Sequence, residues 1–298
     1  KVLASVVENF QTAERYTGRY GIKLICTVLG YTRQSYYKHR KILSSNEQFK
    51  EDVKAMVCDH RKLLPRVGTR KLYRLMKPQM DAEGLKCGRD KLFEVLREKG
   101  LLIKPRRQYV QTTNSKHWLR KYPNKIKGMT IRRPEEVCVS DITYIKTEEG
   151  FCYLAMITDA FSRRILGYNV SDSMSASETR KALQMAIRNR RYPDEKLIHH
   201  SDRGLQYCSS DYVTLAETNK IIMSMTEQSD PYENALAERM NRTIKEEFCL
   251  DKILKTKKQV YETVKEAVYL YNTYRPHLAL NLNTPDSIHK KTPEMNQG

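Results

Sequence analysis

Long apolar runs are missing from these 298 residues: no stretch approaches the roughly 18 to 20 uninterrupted apolar residues that a bilayer-crossing helix requires. The opening KVLASVVENF lacks the charged-then-apolar order of a signal peptide, so neither a membrane nor a secreted role is expected. Glycine (12) and proline (10) are scarce, which excludes collagenous and low-complexity chains. With 40% hydrophobic and 30% charged residues, the chain has enough apolar side chains to escape general disorder. The seven cysteines are odd in number and scattered, with no CxxC and no Cys/His pair at zinc-finger spacing, which argues against structural zinc or a disulfide framework. They read as reduced thiols of a cytoplasmic protein. The first residue is Lys1 and not Met, which suggests a trimmed product or the tail of a longer one.

Acidic residues are scarce in the first part of the chain. Residues 1–133 hold 32 Lys and Arg against 11 Asp and Glu, a net of +21, and the remainder holds 22 against 24, a net of −2. A basic region joined to a near-neutral one suggests that the first holds a polyanion while the second has other work. The basic part reads as mostly helical. An apolar-rich segment over residues 23–29, a turn at Gly30 and RQSYYKHR from Arg33 form a helix-turn-helix silhouette, with Arg33 and Lys38 placed to meet DNA phosphates. A second helical unit follows: GTRKLYRLMKPQM offers Arg70 and Lys71, and GRDKLFEVLREKGLL completes it. Residues 104–133 lose the periodicity and interleave cations with rings, including Arg106, Arg107 and Trp118. This reads as an extended linker able to track a nucleic-acid backbone.

From Glu136 the texture changes to strands. VCVSDITYI, FCYLAMITDAF and RRILGYNV read as an antiparallel meander. A helix, the strand KLIHHSD, another helix, the strand KIIMSM and a helix over about 233–248 follow. This order predicts an α/β fold, a mixed sheet covered by helices. Asp141 sits inside the first strand, Asp202 ends the fourth and Glu238 lies about one turn into the last helix of this series. A strand Asp among valines and isoleucines costs desolvation energy unless it is neutralised. Three carboxylates brought to one region of a sheet would make an oxygen-rich pocket suited to Mg²⁺ or Mn²⁺ and not to Zn²⁺, for in-line phosphoryl transfer. Asn234, Glu238, Asn241 and Lys245 recur at helical spacing with Arg242 beside them, a face fitted to DNA phosphate over such a pocket. On the residues alone, a hydrolytic nuclease and a non-catalytic DNA-binding protein stay open beside a strand transferase.

The runs DITYI, HSDRGLQY and ENALAERMNRTIKEE, with 35 residues between Asp202 and Glu238, resemble the DDE core of transposases and retroviral integrases. The likeness is greatest to the larger-frame transposase of the insertion-sequence-three family, and YNTYRPHLALNLNTP resembles its C-terminal signature. The resemblance implies a ribonuclease H-like core in which Asp141, Asp202 and Glu238 bind two Mg²⁺, with Mn²⁺ as a substitute, and in which Lys245 contacts DNA. It implies cleavage and strand transfer through a circular intermediate, on element terminal repeats and target DNA. It also implies a homo-oligomer, an upstream-frame DNA-binding partner or fusion, and a nucleoid-associated bacterial setting. Glu233, where the family often has Asp, and Cys138, where it often has Trp, depart from the pattern. The expected divisions are a helical segment over 1–60, a second DNA-binding module over 61–103, the linker over 104–133, the catalytic core over 134–250 and a C-terminal helix and tail over 251–298. Tyr271, Tyr274, Arg275 and His277 are expected to pin that tail near the catalytic helix.

Overall fold

A computed structural model describes residues 9, 12–15, 21–103, 118–227 and 234–291. The chain divides into two compact units, residues 1–58 with 80–101 and residues 59–79 with 102–298.

In the first unit, α1 (Ile22–Val28) ends at Gly30, whose φ of +75° suits a residue without Cβ, and α2 (Arg33–Leu63) begins three residues later. Cys26 and Tyr36 bury against Ile22 and Tyr31, giving the helix-turn-helix pair its small core. The sequence suggested a short second helix, but α2 runs for 31 residues. Its middle turns are tied to α4 (Arg89–Glu98) and the residue after it by ion pairs of Lys99 with Glu47 and Glu51, and of Lys50 with Glu98. The helix α3 (Thr69–Ala82) completes the N-terminal helices. The module expected over 61–103 is divided, because residues 59–79 belong to the second unit.

The second unit is built on a five-stranded sheet of order β3-β2-β1-β4-β5. The strands are β1 (Val137–Thr147), β2 (Gly150–Asp159), β3 (Ile165–Ser171), β4 (Leu197–Ser201) and β5 (Ile221–Met225). The first three form the expected antiparallel meander, and β4 and β5 run parallel to β1. The helices are α5 (Ala176–Arg188), α6 (Leu205–Cys208), α7 (Ser210–Thr218), α8 (Ala235–Glu247), α9 (Lys257–Thr273) and α10 (Pro285–Lys290). Alternation along β1 serves both faces. Cys138 joins the core under α5 and α7, while Val137 and Val139 pack with Ala160 and with Ala237 of α8. Helix α5 approaches β3 so closely that a Cβ on Gly167 would stand 2.2 Å from the Ala182 carbonyl oxygen.

The described part of the expected linker lies along this core. Leu119 and Tyr122 pack on one cluster and Ile126, Met129 and Ile131 on the other, while the Lys125 N–H donates to Ser224 Oγ at 2.9 Å. Apolar residues at these positions turn residues 119–131 into a strap. Among the described residues no helix is long and apolar enough to cross a membrane.

Candidate active site where β1 and β4 part

Strands β1 and β4 pair in parallel from Val137 with Ile198 to Ser140 with Ser201, and the pairing stops there. Asp141 and Asp202 are therefore the next residues on two adjacent parallel strands, at the edge where those strands part. The strand order also reverses at β1, with β2 and β3 on one side of it and β4 and β5 on the other, and α/β sheets bind ligands at such switch points. Ser140, on the opposite face from Asp141, is buried and donates to the Met156 carbonyl at 3.0 Å, and its oxygen lies 2.9 Å from the buried Tyr207 hydroxyl. These bonds fix β1 one residue before the acid.

Both oxygens of Asp141 are engaged: the Ile142 N–H donates to Oδ1 at 2.8 Å and Asn241 Nδ2 donates to Oδ2 at 2.9 Å. Burial raises the Asp141 carboxyl, the charge of Asp202 adds to this, and Glu238 contributes a smaller push, so the group stands at about 7 despite its two donors. Asp202 Oδ1 accepts the Gly204 N–H at 3.0 Å, and a Cβ at residue 204 would stand 3.1 Å from that same oxygen. A side chain at residue 204 would therefore crowd the carboxylate.

Glu238 occupies the first turn of α8 and is exposed. The expected convergence is closest for Asp141 and Asp202, and Glu238 reaches Asp141 through its field. Among the described residues no three Asp, Glu, His or Cys side chains form a ready-made metal-holding group. Glu238 is exposed, whereas Asp141 is half-buried.

The other candidate residues fall into two groups. Asn234 and Asn241 are buried and face β1, with Asn234 Nδ2 donating to the Ser140 carbonyl at 3.2 Å. Lys245 Nζ donates to the Tyr144 carbonyl at 2.9 Å and lies 4.7 Å from the centre of its ring. Lys71 is engaged with Glu247 at 2.6 Å. The structure gives these four side chains protein partners where the sequence suggested DNA phosphates, because helical spacing does not tell a face turned to the sheet from one turned outward. Arg33, Lys38, Arg70, Arg242 and Trp118 are exposed, the last at 92%. Arg106, Arg107 and Glu233 lie outside the described residues. Ser140 and Tyr207 were not singled out beforehand, although Tyr207 closes the HSDRGLQY run.

An integrase core domain model matches residues 131–231, and a second model of that description matches residues 219–285. A 31 kDa protein of insertion element IS600 from Shigella sonnei, itself uncharacterized, is 33% identical over 280 residues, 91% of this chain and 99% of the relative. Transposase InsF for insertion sequence IS3A of Escherichia coli is 28% identical over 285 residues, 93% of this chain and 97% of the relative. The chain belongs to the IS3-type transposase family. Among solved structures, the HTLV-2 integrase catalytic core domain in complex with magnesium is 20% identical, covers 53% of this chain and 97% of its own, and has a TM-score of 0.43. A simian T-cell lymphotropic virus intasome is 15% identical over 80% of this chain and 75% of its own, with a TM-score of 0.47. As an IS3-type transposase, the protein is a polynucleotidyl transferase of DNA transposition and integration.

Proposed function

We propose that Asp141, Asp202 and Glu238 are the catalytic carboxylates of this transposase and that they hold two Mg²⁺ ions, with Mn²⁺ able to substitute. The observation behind this reading is a carboxyl raised to about 7 by burial and by Asp202, at the end of paired parallel strands. A cation bound there offsets both the desolvation and the repulsion. The donors are all carboxylate oxygens, which suits hard divalent ions. When bound, such ions activate the attacking oxygen and stabilise the leaving oxygen of a phosphodiester.

The protein's own part is orientation. Asn241 and the Ile142 N–H hold Asp141, the Gly204 N–H holds Asp202, and α8 presents Glu238. Arg33, Lys38, Arg70, Arg242 and Trp118 are the exposed contacts assigned to duplex DNA at element ends or target. Strand transfer between two ends and a target calls for a multimer of this chain.

The test is joining of a labelled terminal duplex to target DNA in Mg²⁺. Asp202→Asn and Glu238→Gln should each abolish new junctions. Junction formation at the wild-type level in either variant overturns the assignment, and shortened strands without junctions from the unaltered protein would favour a nuclease.

A further inference from the structure

Helix α8 carries Glu238 in its first turn and Glu247 in its last. The two are nine residues apart, about 13.5 Å along the axis and on opposite sides of the helix. Glu247 is half-buried and is gripped from two distant parts of the chain. Arg275, after α9, makes a two-pronged contact, with Nε at 2.6 Å from Oε2 and Nη2 at 2.7 Å from Oε1. Lys71 of α3 brings Nζ to 2.6 Å from Oε1. Arg66 holds the same turn by its backbone: its N–H donates to the Glu247 carbonyl at 3.2 Å, and Nη1 donates to the Glu246 carbonyl at 3.1 Å and pairs with Asp251 at 3.0 Å. His60 Nδ1, 2.8 Å from the Tyr274 hydroxyl, ties the same pre-core segment to the residue beside Arg275.

We propose that Lys71, Arg66 and Arg275 form a clamp that positions α8, and through it Glu238, for strand transfer. This inference rests on Glu238 being a catalytic carboxylate. Arg66 and Lys71, in the module over 61–103 that the sequence assigned to DNA binding, then serve the chemistry as positioning residues. The geometry supports this because the ties to β1 through Asn234, Asn241 and Lys245 hold one side of α8, and the clamp holds its far end from another. A slip of one residue along the helix would shift Glu238 by about 1.5 Å and turn it by about 100°. Arg66 also supplies a cation to the helix C-terminus, where carbonyl groups lack partners within the helix. Of the residues around Lys71, Arg275 repels it and Glu247 is the acid that meets it, so Lys71 is committed to this contact.

The experiment uses the full chain with Lys71→Met, Glu247→Gln and Lys71→Arg. In Lys71→Met the affinity for a terminal duplex should equal that of the wild type. Joining at saturating DNA should fall about 10- to 100-fold, as expected for a misplacement near 1 Å, and half-saturation by Mg²⁺ should move to higher concentration. Lys71→Arg should restore joining, and the Lys71→Met, Glu247→Gln pair should cost no more than the worse single change. Hydrogen exchange gives an activity-independent readout: residues 235–247 should exchange faster in Lys71→Met while residues 137–159 should not. Should Glu247→Gln fail to fold, Lys71→Met decides alone, since it leaves the Arg275 contact in place. Weakened DNA affinity with wild-type joining at saturation overturns the inference, and so does unchanged exchange over 235–247. If the wild type joins no DNA, the catalytic assignment fails while the exchange measurement still judges the clamp.

Discussion

Two kinds of buried acid stand within the second unit. Glu135 is fully buried and held in the left-handed region at φ +57°, yet its carboxylate accepts the Arg191 N–H at 2.7 Å and the Tyr192 N–H at 3.1 Å, and faces His289 Nε2 at 3.1 Å. Burial would raise it, but His289 and the two N–H groups bring it below the ordinary carboxylate range. Glu247 shows the same balance, with Arg275 and Lys71 outweighing burial. Asp141 is treated in the opposite way. Its donors are an amide and one N–H, and the charges acting on it are the carboxylates of Asp202 and Glu238. The fold compensates the acids that tie segments together, whereas at Asp141 burial and the neighbouring carboxylates outweigh its two donors; under the proposed assignment a bound cation supplies the balance. That contrast separates these carboxylates better than burial does, since Asp141 and Glu247 are alike half-buried.

Neutralising each kind should therefore have opposite consequences. The largest effect expected is in Asp141→Asn, where joining falls by at least about 10²- to 10³-fold, the loss typical of removing a charge-stabilising group. The same change should leave the metal-free protein equally or more stable, because repulsion and desolvation are relieved; parallel activity and melting measurements would show the split. Glu135→Gln should do the reverse to stability. It breaks a buried pair and leaves His289 facing an amide, at a cost of about 3 to 5 kcal/mol by urea denaturation. Gly167→Ala is a steric counterpart, expected to cost about 1 to 3 kcal/mol by overpacking against α5 without altering the site's charge; a neutral result would show that α5 gives way.

A smaller effect lies in pH. The folded Asp141 carboxyl stands at about 7, above its ordinary 3.8. Its contribution to stability is full below the unfolded value and is lost as pH rises through the folded one. His289, held above its ordinary value despite burial by Asp159 and Glu135, has the same sign. Metal-free melting temperature should thus decline from pH 6 to 8, and Asp141→Asn should remove only the share that belongs to the site. An unchanged slope in that variant would detach Asp141 from the titration.

The meander, the succession of strands and helices and the places of two acids were legible because alternation, strand length and turn residues act locally. DITYI and HSDRGLQY placed Asp141 and Asp202 at their strands, and of the tail residues Arg275 meets Glu247 of α8 while the Tyr274 hydroxyl lies against His60. What escaped was partnership across long separations. Lys71 looks like any exposed cation until residue 247, 176 positions later, is brought against it. Asn241 has the spacing of an outward face, but β1 lies under it. The 119–131 strap was hidden by its cations: Leu119, Tyr122, Ile126 and Met129 recur at intervals of 3, 4 and 3, yet Pro123 and Gly128 interrupt that spacing and the segment packs on the core without forming a helix.

The most direct measurement is a Mn²⁺ binding isotherm on the full chain at pH 7.5, comparing the wild type with Asp141→Asn and Asp202→Asn. The account predicts saturable binding to the wild type that each substitution weakens severely, with both variants still folded. Binding of equal strength in either variant would contradict the assignment of these acids as the metal site.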